Sequence, residues 1–194
     1  MPECFRRYDD VLAELVAVSW LLFVYSSAVL GGVRFTASTS TWLSDAVELL
    51  APAALIIVAH EAVHAAVLAV EGIGVEFGVS LRGRLPVAYT RPKRPVPREK
   101  YFAVSLAPLA AFHVIPLMGL VTRLPLWAKY LFIYNTAGSS GDILAALSAL
   151  RLPRGSEVLD TGDGFGACMP HPLGRRGKIL LYLAAVATLV AAAI

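Results

Sequence analysis

Cysteine, charge and short strand-like runs are all scarce in this chain, and each scarcity narrows what it can be. The only two cysteines are Cys4 and Cys168. They are too few and too far apart in sequence for a zinc cluster or a disulfide framework, so the expectation is two reduced, incidental thiols on the cytoplasmic side. Charged residues are only 16% of the 194 positions, against 57% hydrophobic. That balance excludes an ordinary soluble domain of this size. The net charge of +3 is modest, and no basic helix carries interleaved aromatics, which excludes nucleic acid as a partner. No small-residue cleavage site follows the first apolar segment, so MPECFRRYDD reads as the lead into an anchor rather than a signal peptide.

What is present is apolar sequence in long blocks. The expected fold is an all-α polytopic membrane protein of about five transmembrane helices, forming one membrane-embedded domain over residues 1–194. The spans are read at about 11–32, 46–70, 101–121, 126–150 and 179–194. A short polar turn lies at Arg34 to Ser44 and a tight connection at Arg123-Leu124-Pro125. Pro108 and Pro116 predict kinks in the third span. After the second span Val75 to Leu81 alternates as a strand does, Arg82-Gly83-Arg84 reads as a turn, and Leu85 to Thr90 returns. A small β-hairpin is therefore predicted there. Residues 151–178 form a polar, glycine-rich tail loop. Within the fourth span, Asn135 to Asp142 is small and polar at membrane depth, which is costly unless it lines a site or lets helices approach closely.

Basic residues orient these spans. Two precede the first span, seven lie between Arg82 and Lys100, and five lie between Arg151 and Lys178, which is fourteen of the seventeen. With an odd number of spans all fourteen fall on one side. The excess of basic residues on cytoplasmic loops then predicts a cytoplasmic N-terminus, in an integral protein of the cell membrane.

Against this background His60-Glu61-Ala62-Val63-His64 stands out. Positions four apart on a helix differ by about 40° in direction and about 6 Å in height, so both imidazoles leave one face and can share a zinc ion. Glu61 beside the first is placed to act as general base on the attacking water. With four His and eight Glu in 194 residues, H-E-x-x-H by chance has an expectation of roughly three in a thousand. The bland alternatives are a polar face packed between helices and a two-histidine haem ligand, and neither needs a glutamate in that place. By the topology above, His60, His64 and Asp142 all lie roughly 9–15 Å below the cytoplasmic boundary.

The HEAVH motif in a membrane helix, the hairpin directly after it and the later run Asn135…Gly141-Asp142 resemble the zinc intramembrane metalloproteases of the site-2 protease type. The nearest likeness is to a membrane group known as the "putative zincin peptidase" family, of unassigned function. It covers roughly residues 45–150. The site-2 pattern has Leu-Asp-Gly where this chain has Gly141-Asp142-Ile143, and its prolines are absent here. The resemblance implies that His60, His64 and Asp142 bind Zn2+, that Glu61 is the general base, and that Asn135 steadies substrate or oxyanion. Read as residues alone, Asp142 also suits a helix cap or a core pair, and Asn135 a plain interhelical hydrogen bond. The implied substrate is a membrane protein or a membrane-proximal peptide. A non-hydrolytic metal- or haem-binding membrane scaffold is the competing function.

Other motifs carry less. Asp160-Thr161-Gly162 has the letters of an aspartic protease, but that chemistry needs a second aspartate copy and none exists. Asp160 and Asp163 read as loop residues, with a mobile lid as the minority alternative. His113 reads as a satisfied polar residue between helices, deeper than the ligand candidates.

Overall fold

The computed structural model describes residues 4–30, 41–82, 85–117 and 125–193. The expected turn at Arg34 to Ser44 lies largely outside them, as do the hairpin tip at Gly83-Arg84, the end of the third span and most of the Arg123-Leu124-Pro125 connection. Six α-helices dominate: α1 (Leu12–Val29), α2 (Trp42–Val70), α3 (Arg98–Leu117), α4 (Leu126–Gly138), α5 (Ser140–Leu150) and α6 (Arg175–Ala193). Among the described residues, two stretches are long and apolar enough to cross a membrane by length and composition, Tyr8–Val29 and Trp42–Val70.

A core of buried residues gathers the start of α1 (Leu15), the end of α2 (Leu68), the start of α3 (Tyr101, Val104) and the later half of α5 (Leu144, Ala149). This end of the bundle is closed by a cap of short strands, which adds Phe5, Val96, Val158, Phe165 and Met169 to the same core. In the cap, β1 (Cys4–Arg7) pairs antiparallel with β6 (Gly164–Pro170), and β4 (Val96–Pro97) with β5 (Glu157–Val158). Buried Glu14 of α1 lies 3.4 Å from His171 and 3.5 Å from Lys178, so an otherwise costly carboxylate ties α1 to α6.

The end of α2 is set by local chemistry. Gly72 takes φ +67°, a left-handed conformation that favours glycine. Ile73 N–H then reaches back to Leu68 C=O at 2.9 Å, and Gly72 N–H to Ala69 C=O at 2.9 Å. Leu68 and Ile73 are both buried, which completes a Schellman motif and turns the chain into the next strand. That strand, β2 (Val75–Arg82), pairs in register with β3 (Leu85–Pro92), from Val75↔Pro92 to Arg82↔Leu85. The predicted hairpin is present.

Three expectations are corrected. The cysteines are not free thiols: Cys4 and Cys168 form a disulfide, with Cα atoms 5.7 Å apart across a sequence separation of 164. Sequence distance misled because β1 and β6 come from opposite ends of the chain and meet only in the folded cap. The stretch expected as a fourth span, residues 126–150, is two helices, α4 and α5, with the break at Ser139, whose N–H bonds Asn135 C=O at 3.0 Å. The tail at 151–178 is not one polar loop and the fold is not all-α beyond one hairpin, because β5 and β6 lie within it. Gly164 explains why β6 gave no strand signal. A Cβ there would collide with the Arg6 carbonyl, so close backbone approach, not side-chain alternation, dictates the residue.

Candidate metal centre

Helix α2 carries His60 and His64 one turn apart, and their Nε2 atoms lie 3.2 Å from each other. Helix α5 brings Asp142 against both. One carboxylate oxygen is 2.9 Å from His60 Nε2, and the other is 3.4 Å from His64 Nε2. Among the described residues these three form a group whose donor atoms converge as metal ligands do. The break at Ser139 makes this possible, because it starts a new helix whose first turn points Asp142 at α2.

The partners of the other ring nitrogens assign the tautomers. His64 Nδ1 is 2.9 Å from the Val104 carbonyl, a group that only accepts, so Nδ1 carries the proton. His60 Nδ1 is 3.0 Å from Asn135 Oδ1. The Asn135 amide is oriented in turn because its Nδ2 donates to Pro108 C=O at 3.3 Å. In the neutral rings, two Nε2 lone pairs and a carboxylate are thus turned on one another at hydrogen-bond distance with no proton among them. That arrangement is repulsive unless a proton or a metal cation lies between them. Donors bound tetrahedrally at about 2.0–2.1 Å from zinc stand roughly 3.3 Å apart. The observed 2.9, 3.2 and 3.4 Å fit that spacing. His60, His64 and Asp142 therefore suit a zinc ion, with nitrogen and oxygen donors of the right kind and number for an open site.

Glu61, half-buried beside His60, faces two different cavities. An apolar one of about 240 Å³ lies between α2, β3 and α4, with Ile57, Val87, Tyr134 and Gly138 on its walls and His60 and Glu61 lining it too. A polar one of about 50 Å³ is lined by Glu61, His64, Asp142, Thr90, Tyr8 and Asp160. Thr90 of β3 donates to the Glu61 backbone carbonyl at 3.1 Å, which docks the hairpin directly on the motif.

Asn135 is where the resemblance puts it in sequence, but its acceptor oxygen holds His60 and its donor holds α3. His113 stands outside the group, with Nδ1 bonded to Leu109 C=O at 2.7 Å and its ring against Phe132. Asp160 and Tyr8 are both wall residues, of which sequence reading passed over Tyr8 and singled out Asp160 only as a loop residue. Asp160 is a loop residue as expected, yet it is fastened by the Tyr101 hydroxyl at 2.6 Å and by Gly162 N–H at 2.7 Å. Val104 was missed because its contribution is a backbone carbonyl, although a proline four residues later is a legible mark of a freed one.

No solved structure matches this chain. An uncharacterized 24.7 kDa protein from Pyrococcus woesei is 29% identical over 150 residues, which cover 77% of this chain and 66% of that protein. This chain therefore spans just under two thirds of the relative's length. Residues 53–156, a little over half of the chain, match the model of a family described as "Putative zincin peptidase", and the chain belongs to that family.

Proposed function

We propose that this protein is a zinc metallopeptidase embedded in the membrane, cutting a peptide bond of a membrane-spanning or membrane-proximal substrate. The observation that carries the reading is the convergence of His60, His64 and Asp142 with both imidazole tautomers set to offer Nε2. When bound there, zinc supplies the Lewis acid that peptide hydrolysis at neutral pH needs. His60, His64 and Asp142 hold it, and Asn135 and the Val104 carbonyl keep the two rings in register. Glu61 takes a proton from the attacking water as the new C–O bond forms, then delivers it to the amide nitrogen, so that the C–N bond breaks and the amine leaves neutral. A haem reading is disfavoured by the 3.2 Å between the imidazole Nε2 atoms and the carboxylate beside them, which leave no space for a porphyrin face.

The substrate reading rests on the walls around Glu61. The apolar cavity suits a bulky aliphatic or aromatic side chain next to the scissile bond. Among the described residues β3 pairs only with β2, and its second edge is where an unwound substrate strand would add. The membrane reading rests on burial. Only 17% of the most apolar window of Trp42–Val70 is covered by the rest of the protein, too little for the core helix of a soluble domain. Leu50, Leu55 and Val58 of α2 face outward, as do Leu183, Val186 and Leu189 of α6, and lipid would cover them. The proposed arrangement has five passes, α4 and α5 together making one. The fourteen basic residues that the sequence groups on one side of the spans favour a cytoplasmic cap. The Cys4–Cys168 disulfide in the same cap pulls toward an oxidising compartment. The charge bias acts while the spans insert and so decides the side, whereas the disulfide closes only after the cap has folded and persists only where the compartment does not reduce it.

The test is Glu61→Gln in the purified protein. Metal content should stay at the wild-type level while hydrolysis of a membrane peptide falls by about 10²-fold or more. Undiminished hydrolysis would remove Glu61 from the mechanism.

A further inference from the structure

A proline inside a helix has no N–H, so the carbonyl four residues earlier loses its helical partner and is pushed aside by the ring. In α3 that proline is Pro108, and the carbonyl is that of Val104. The helix runs on unbroken from Arg98 to Leu117, so Pro108 does not serve as a stop. It is fully buried. Interior prolines are unfavourable in a continuous helix, and one that marks no boundary calls for another reason.

The contacts supply that reason. The freed Val104 carbonyl accepts the His64 Nδ1–H at 2.9 Å. The Pro108 carbonyl accepts from Asn135 Nδ2 at 3.3 Å, and Asn135 Oδ1 accepts the His60 Nδ1–H at 3.0 Å. We propose that Pro108 is a positioning residue of the metal centre: its missing N–H releases the Val104 carbonyl to hold His64, while its own carbonyl, through Asn135, holds His60. One residue thereby sets the orientation and tautomer of both ligand rings. The inference rests on the zinc reading above.

The chemistry is one of competition. With an N–H at position 108, the Val104 carbonyl would be drawn along the helix axis, and its bond to His64 would weaken. His64 would then populate the tautomer with its proton on Nε2, the atom that faces Asp142. That proton must leave before the nitrogen can bind a metal, so affinity falls although every ligand is still present. Alanine at position 108 keeps the carbonyl that Asn135 needs, so the His60 arm is untouched.

Pro108→Ala separates this role from a packing role, because alanine suits a helix interior. The full chain is purified in detergent, zinc affinity is measured by chelator competition, and the imidazole 15N shifts are read in metal-free protein. Pro52→Ala, at a buried proline inside α2, is the control. The expected result is that metal-free Pro108→Ala melts at or above the wild-type temperature yet binds zinc about 10-fold more weakly, with mixed tautomers at His64 alone. Pro52→Ala should leave zinc affinity unchanged. Asn135→Ala tests the second arm and should mix the tautomers of His60 but not of His64. Unchanged zinc affinity and unchanged His64 signals in Pro108→Ala would overturn the proposal, as would an equal loss in Pro52→Ala. Absence of zinc binding in the wild type would instead overturn the metal reading itself.

Discussion

The two ends of this molecule are built by opposite rules. In the cap, apolar residues point inward: Phe5, Val11, Tyr101, Val158 and Phe165 fill a core, and a disulfide closes it. Along the helices the pattern is inverted. Asn135, Thr136, Ser139 and Ser148 are buried at 0–1% exposure, while Val58 on α2 is 69% exposed. The three hydroxyls are satisfied by the carbonyl four residues earlier: Thr136 by Phe132 at 2.7 Å, Ser139 by Asn135 at 2.8 Å and Ser148 by Leu144 at 2.8 Å. The cap resembles a soluble protein held together by apolar burial. The helical part keeps its polar groups inside, and those groups build the site. Different perturbations should therefore damage the two regions.

The largest effect should come from the helical interior. Asp142→Ala removes a donor and leaves two histidines, and zinc affinity should fall by more than about 100-fold, measured by chelator competition. His113→Ala, outside the group, should leave it within about twofold. Cap chemistry should act next and differently. Cys168→Ser, or a phosphine reductant, should lower stability by about 2–4 kcal/mol, measured by thermal melting, while zinc remains bound. Zinc lost in parallel with the cap would mean that the regions are not separable.

A finer effect concerns what the site accepts. A Cβ at Gly138 would meet no atom within 4 Å, and Gly138 lines the apolar cavity. Gly138→Leu should therefore fold and hold zinc, but disfavour substrates with a large apolar residue at the scissile bond by about 10-fold relative to alanine. Peptide-series kinetics would show this, and an unchanged preference would place the substrate elsewhere. The smallest effect belongs to the cap side of the hairpin. Arg91 donates to Glu76 at 2.7 and 3.0 Å, and this contact holds the Glu76 carboxyl below its ordinary value of 4.5. A carboxyl depressed in the folded state adds stability above its ordinary value, and that stability disappears as pH falls through the depressed one. The pair is open to solvent, so acid melting of Glu76→Gln should differ barely from wild type, and only below about pH 4.5.

These contrasts also explain what could be read in the sequence. His60, Glu61 and His64 were legible because helical spacing places side chains without reference to the rest of the fold. The hairpin was legible from alternation and its glycine boundary. Asp142 was approachable through depth along the helix, which is again a local quantity. The cap was not, because β1 with β6 and Cys4 with Cys168 depend on contacts across nearly the whole chain and β6 is rich in small residues. Nor was the Val104 carbonyl, since a backbone acceptor has no residue type. The break at Ser139 was visible only as an unexplained polar run.

The central claim is a zinc ion held by two imidazoles and one carboxylate. X-ray absorption at the zinc edge of the purified wild-type protein tests it most directly. One zinc per chain with only nitrogen and oxygen neighbours at about 2.0–2.1 Å is the predicted result. Sulfur scattering at about 2.3 Å, a haem iron signal, or no stoichiometric metal would contradict it.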